Sequence, residues 1–118
     1  MFNPITRTTR GWLLATLFLL SGIFSVQAYA ENHVIEIKKM KFRTPELTIS
    51  VGDTVTWINK EYRQYHSVWF EQLGEPEPEY FFPKESYSRT FGAPGNFSYR
   101  CGPHPKMTGV IVVVEPGK

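Results

Sequence analysis

Apolar side chains in this sequence recur at every second position far more often than at every third or fourth, so strands must supply its core. Leu47, Ile49 and Val51 share one face of an extended segment, Gly52-Asp53 turns the chain, and Val55 and Trp57 resume the alternation. Phe97, Tyr99 and Cys101 face one way while Ser98 and Arg100 face the other, and 110–114 is an unbroken Val/Ile run suited to a strand covered on both faces. Strands are expected at 33–39, 46–51, 54–59, 67–70, 86–91, 96–101 and 108–114. Turn signals at Gly52-Asp53, Gly92-Ala93-Pro94-Gly95 and Gly102-Pro103 separate several of them at short intervals. This spacing predicts an all-β sandwich of two sheets. Four prolines and glycines and four glutamates interrupt the pattern over 71–84, which reads as an irregular surface loop. Its acids are either a solvated rim or a docking edge for a basic partner.

Ahead of this domain, Arg7 and Arg10 precede an apolar run over 12–20, and Ala28-Tyr29-Ala30 offers small residues where a signal peptidase reads. Residues 1–30 are therefore expected to be a secretory signal cut after Ala30, leaving the domain at 31–118. The alternative is an uncleaved N-terminal anchor, which would have to tolerate Ser21, Gly22, Ser25 and Gln27 in the membrane. Thr8 and Thr9 separate the two arginines, so export of an unfolded chain out of the cytoplasm is expected. Residues 31–118 carry 11 Lys+Arg and 11 Asp+Glu, a balance that excludes a generally basic nucleic-acid binder. One Cys excludes an internal disulfide framework and any Cys₄ or Cys₂His₂ zinc site.

The chemistry sits in Cys101-Gly102-Pro103-His104-Pro105-Lys106-Met107, with His66 lying 35 residues upstream of the Cys. A thiolate, two imidazoles and a weak thioether make a His₂Cys set with an axial Met, and soft sulfur beside imidazole selects copper. Taken singly, Cys101 could be a small buried hydrophobe, His66 a hydrogen-bonded surface residue and Met107 a core filler. Together, in an exported chain with no other Cys, they point to one copper alternating between Cu(I) and Cu(II). Prolines on both sides of His104 stiffen the loop and remove two backbone donors near the sulfur. His104 is then the expected electron exit, with Met40, Tyr65, Phe81, Phe82, Pro103 and Pro105 as candidates for an apolar surround, each of which could equally be a core or turn residue, and Lys106 orienting a partner. Cleavage after Ala30 would also leave Glu31-Asn32-His33 as a terminus able to chelate a second Cu(II) through backbone nitrogens and His33.

Met40-Lys41-Phe42, Thr44-Pro45-Glu46-Leu47, the stretch 51–59 (VGDTVTWIN), His66, Val68, Tyr87-Ser88 and the C-x₂-H-x₂-M loop are the residues in which this chain resembles the cupredoxins, above all the amicyanin-type blue-copper proteins. Plastocyanins and pseudoazurins are similar but carry a longer interval between His and Met. The resemblance implies a Greek-key β-sandwich of about seven or eight strands, with type 1 copper held by His66, Cys101, His104 and Met107 near one end. It implies a monomeric periplasmic electron carrier, not an enzyme, working between a donor such as an amine dehydrogenase and a c-type cytochrome acceptor. A copper chaperone is the alternative, and a small copper enzyme is a third class; a chaperone would favour a site richer in Met or Cys. Ser67 and Gly102 stand where the family usually carries Asn and Ser or Thr, so the side-chain bridge between the two ligand loops is expected to be absent or altered, and the site somewhat looser.

Overall fold

The computed structural model describes residues 21–23 and 29–116, so the predicted leader falls almost wholly outside the described residues. Among the described residues no helix is long and apolar enough to cross a membrane. Seven strands are present there: β1 (Asn32–Lys38), β2 (Lys41–Phe42), β3 (Glu46–Ser50), β4 (Thr54–Asn59), β5 (Ser86–Thr90), β6 (Gly95–Arg100) and β7 (Thr108–Val114). They form two sheets, ordered β2-β1-β4-β5 and β3-β7-β6. The strands pair β1 with β4 and β3 with β7 in parallel, and the other neighbours antiparallel. Because β3 leaves the first sheet for the second between β1 and β4, the parallel pairs are closed by crossovers between layers, the connectivity of a Greek-key sandwich.

Alternation decides what lies between the sheets. Ile35 and Ile37 of β1, Val55, Trp57 and Asn59 of β4, and Ile111 and Val113 of β7 point inward and are buried. Trp57 anchors an aromatic cluster, edge-on to Tyr99 at 5.4 Å and to Phe70 at 6.3 Å, while Phe42 meets Tyr99 edge-on at 4.8 Å. Burying a ring of this size removes about 150–250 Å² from water, worth about 4–6 kcal/mol at about 25 cal/mol per Å². The Trp57 indole N–H donates to the Tyr99 hydroxyl at 3.2 Å, so the one polar atom of that indole is satisfied.

Two elements depart from expectation. The segment expected to be a strand at 67–70 instead makes two isolated bridges, His66 with Phe81 and Trp69 with Arg100. Its pairing partner changes after three residues, so no ladder develops, and the segment joins the β5 side of one sheet to the edge strand β6 of the other. The short strand β2 is an addition to the expected set, and its turn, Lys39-Met40, lacks Asn or Gly although both residues have positive φ (53° and 58°). The Glu61 carboxylate holds this strained turn by accepting the Met40 N–H at 2.6 Å.

The core and its rim can each be tested. Tyr99→Phe strands the buried Trp57 N–H and should cost about 1–3 kcal/mol, read as a lower urea midpoint at unchanged m-value. Asp53 is held below the usual carboxylate range, chiefly by the Glu31 main-chain N–H, and Glu75 by its bond to Arg89. Depressed folded-state values stabilise the protein fully above the unfolded pKa, and that contribution is lost as pH falls from roughly 4.5 through the folded values. Denaturant titrations across that range should show stability falling with acid, and less steeply in Glu75→Gln.

Candidate metal centre

His66 lies in the bridge between the sheets, Cys101 directly follows β6, and His104 and Met107 lie on the loop leading to β7. That loop is closed by its own main chain: the Met107 N–H donates to His104 O at 2.9 Å and the Cys101 N–H to Met107 O at 3.0 Å. Arg100 braces it from outside. Its guanidinium reaches the carbonyls of Cys101 and Gly102 at 3.3 Å, pairs with Glu71 at 2.8 Å and lies 4.4 Å over the Trp69 ring.

The two imidazoles converge on one sulfur. Cys101 Sγ is 3.6 Å from His66 Nδ1 and 3.5 Å from His104 Nδ1. Nitrogen and sulfur ligands bound at about 2.0 and 2.3 Å stand about 3.5 Å apart at tetrahedral angles and about 3.7 Å apart at trigonal ones. The observed spacings fit donors arranged around a common ion. His66 and Cys101 are fully buried, Met107 is buried and His104 is half-buried. Burial pushes the Cys101 thiol up and His66 down, disfavouring a bare thiolate and an imidazolium alike. A bound cation reverses the first preference while requiring the second, so these four residues suit a soft, thiolate-binding metal. His66, Cys101, His104 and Met107 form a typical type 1 copper site.

Several supporting residues escaped the sequence reading. Glu61 Oε1 lies 3.4 Å from His66 Nε2, which places the ring proton on Nε2 and leaves Nδ1 free to ligate. The same carboxylate holds the β1–β2 turn. Buried Asn59 organises the intervening chain, donating to Gln64 O at 2.8 Å and accepting the Glu61 N–H at 2.9 Å. An N-x-E pair at a strand end is a weak signal, visible only once the loop's end point is known.

The bridge between the ligand loops is altered, not absent. The Gly102 N–H donates to the buried Ser67 hydroxyl at 2.8 Å, and the Ser67 N–H points at Cys101 Sγ at 3.4 Å. A backbone donor thus replaces the missing side chain at position 102. A Cβ there would overlap the Glu77 carboxylate and crowd Ser67 Oγ.

Of the residues expected around the exit, Met40, Pro103, His104, Pro105 and Lys106 line one groove together with Lys41, and Phe82 is exposed nearby against the Tyr65 ring. Phe81 is a correction: it is buried in the core because its main chain bridges to His66 on both sides. Tyr65 lies 6.1 Å from His104, as expected, and stacks on Tyr80 at 5.3 Å, a pairing the sequence did not suggest. The acidic loop is largely committed internally, Glu75 holding Arg89 bidentately at 2.6 and 2.9 Å and Glu71 holding Arg100. At the far end of β1, His33 is already in the parallel ladder opposite Val55, and its Nε2 lies 2.9 Å from Asp53 Oδ2. A chelate through backbone nitrogens would have to open that ladder; what the structure brings together is the side chains of Glu31, His33 and Asp53.

Residues 29–114 match the family of copper binding proteins described as plastocyanin/azurin. The chain is 46% identical over 84 residues to amicyanin of Paracoccus denitrificans, covering 68% of this chain and 63% of that protein, just under two thirds of the relative's length. It is 39% identical over 105 residues to amicyanin-alpha of Methylorubrum extorquens, covering 84% and 87%. It is also similar to the crystal structure of amicyanin from Paracoccus versutus, with TM-score 0.63 at 36% identity, covering 76% of this chain and 86% of that one.

Ser67→Ala should leave the Gly102 N–H without its acceptor, and Gly102→Ala should push Ser67 out of place. Both variants should release copper to a chelator roughly 10–100-fold faster than the parent. Release at the parent's rate would show that this bridge does not hold the site.

Proposed function

Because the chain belongs to the plastocyanin/azurin family of copper-binding proteins, we propose that it is a one-electron carrier, exported to the periplasm, that passes electrons from a donor such as an amine dehydrogenase to an acceptor such as a c-type cytochrome. The observation that carries this reading is the convergence of two imidazole nitrogens on one buried sulfur, with Met107 buried at the end of the same loop. Copper, when bound, supplies a Cu(II)/Cu(I) couple.

The chain's own residues do the rest. Glu61 fixes the His66 tautomer, and the 101–107 loop is held at both ends by main-chain hydrogen bonds, so the donors are positioned before any electron arrives. Little motion is then needed between oxidation states. All four donors are side chains of the protein, which leaves no position for a substrate and supports a carrier over an enzyme. His104 alone of the ligands is half-exposed and serves as the exit. Beside it, Met40, Pro103 and Pro105 give an apolar floor, with Lys41 and Lys106 as the charged lining residues and no carboxylate among them. With Glu71 and Glu75 occupied by arginines, this face suits a partner that is acidic around an apolar centre, in a small, transient interface.

Two measurements test the reading. With hexacyanoferrate(III) as oxidant, Lys106→Glu changes the local charge by two near the exit. At about 10 Å and a Debye length of about 10 Å, this should slow oxidation roughly threefold to tenfold, with the difference vanishing at high salt. Equal rates would misplace the exit. The Ser67 amide reaches the sulfur, the His104 main-chain N–H also acts on it, and Pro103 has none to add. Pro103→Ala should therefore raise the reduction potential by tens of millivolts, against about 59 mV per tenfold shift of a one-electron equilibrium. A lowered or unchanged value would contradict the argument.

A further inference from the structure

The end of the sandwich opposite the blue-copper site carries a second group of metal-binding side chains. Asp53, in the turn before β4, is buried, and its carboxylate is aimed by main-chain N–H donors: Glu31 N at 2.9 Å to Oδ1 and Ser50 N at 3.0 Å to Oδ2. His33 brings Nε2 to 2.9 Å from Asp53 Oδ2, and Glu31 brings Oε2 to 3.9 Å from the same nitrogen. One ligand atom from each of the three residues lies within 4.8 Å of the other two. Two ligand atoms bound at about 2.1 Å stand about 3.0 Å apart at a right angle and about 4.2 Å apart when opposed; the 3.9 Å separation falls in that range, while the 2.9 Å one is a hydrogen bond that would open by a few tenths of an ångström around an ion.

Charge points the same way. Beside the three residues, the hollow over this group is lined within the expected mature domain by Thr48, Val51 and Pro116, and among the described residues no Lys or Arg lines it. Two carboxylates face one imidazole there, and cutting after Ala30 turns the Glu31 nitrogen that donates to Asp53 Oδ1 into the terminal amine, a further nitrogen donor at the same place. Asp53 stays ionised, held below the usual carboxylate range by the Glu31 N–H and its other donors. A divalent ion would neutralise the pair, while the ligand set of one nitrogen and two oxygens lacks the sulfur that selects Cu(I).

We infer that Glu31, His33 and Asp53 form a second site, for a divalent transition cation of the Zn(II) or Cu(II) class. The six steps along the chain from Asp53 to Asn59, at roughly 3.3 Å each, place it roughly 20 Å from the end of β4 that supports His66. It is chemically distinct from the blue site: with Cu(II) it gives no thiolate colour, and the Irving–Williams order makes Cu(II) the tighter guest. Filling it pins the start of β1 to the β3–β4 turn. This inference does not depend on the electron-carrier reading.

The test is a calorimetric titration of the copper-loaded protein with Zn(II), with the blue absorbance recorded in parallel. The parent should take up one Zn(II) per chain with the blue band unchanged. His33→Gln, which keeps a polar side chain at a half-exposed strand position, should weaken that uptake roughly tenfold or more while retaining the blue band as proof of folding. Excess Cu(II) should add a second, non-blue paramagnetic signal that His33→Gln removes. No uptake by the parent, or uptake equal in parent and His33→Gln, would overturn the assignment.

Discussion

One buried sulfur organises this molecule. Cys101 Sγ sits where the last residue of the edge strand β6 meets the segment that joins the two sheets, and both imidazole nitrogens face it. Burial alone makes the group awkward, since a thiolate without a counter-charge is disfavoured there and His66 is kept neutral. The same burial makes it a good receptor for a soft cation, which stabilises the thiolate and accepts neutral imidazole. The fold supplies the rigidity this requires: strand β6, the doubly bonded 101–107 loop and the His66–Phe81 bridge converge on that sulfur from separate directions.

The residues that keep those ligands in place form a continuous chain of hydrogen bonds. Met40 N–H binds Glu61, Glu61 approaches His66, and Asn59 ties Glu61 and Gln64 to the end of β4. On the opposite side, Ser67 connects to Gly102 and Arg100 connects the loop carbonyls to Glu71. The strained Lys39-Met40 turn has a purpose in this arrangement, because it carries Met40 to the groove beside His104 while Glu61 serves both turn and ligand.

Much of this was legible in the sequence, for reasons that differ by element. Strand β4 and strand β7 appear at the predicted residues because one face of β4 alternates cleanly and β7 is a β-branched run. The ligand set was readable because a thiol, two imidazoles and a thioether have little in common as packing groups, yet all of them donate to a soft metal ion. Residues 67–70 misled because Val68, Trp69 and Phe70 favour extended backbone while their pairing partner changes midway. Phe81 misled for a related reason: an aromatic next to an exposed aromatic does not reveal which of the two faces inward. The Ser67–Gly102 bridge was hidden because its donor is a main-chain N–H, which no residue identity records.

Cys101 Sγ and the two imidazoles should hold a single copper ion. Titrating the protein with Cu(II) while recording absorbance near 600 nm, about where sulfur-to-copper charge transfer is expected, tests it most directly. The band should grow to saturation at one copper per chain, bleach reversibly on reduction and be abolished in Cys101→Ser. A colourless copper adduct of the parent, or an intact band in Cys101→Ser, would contradict it.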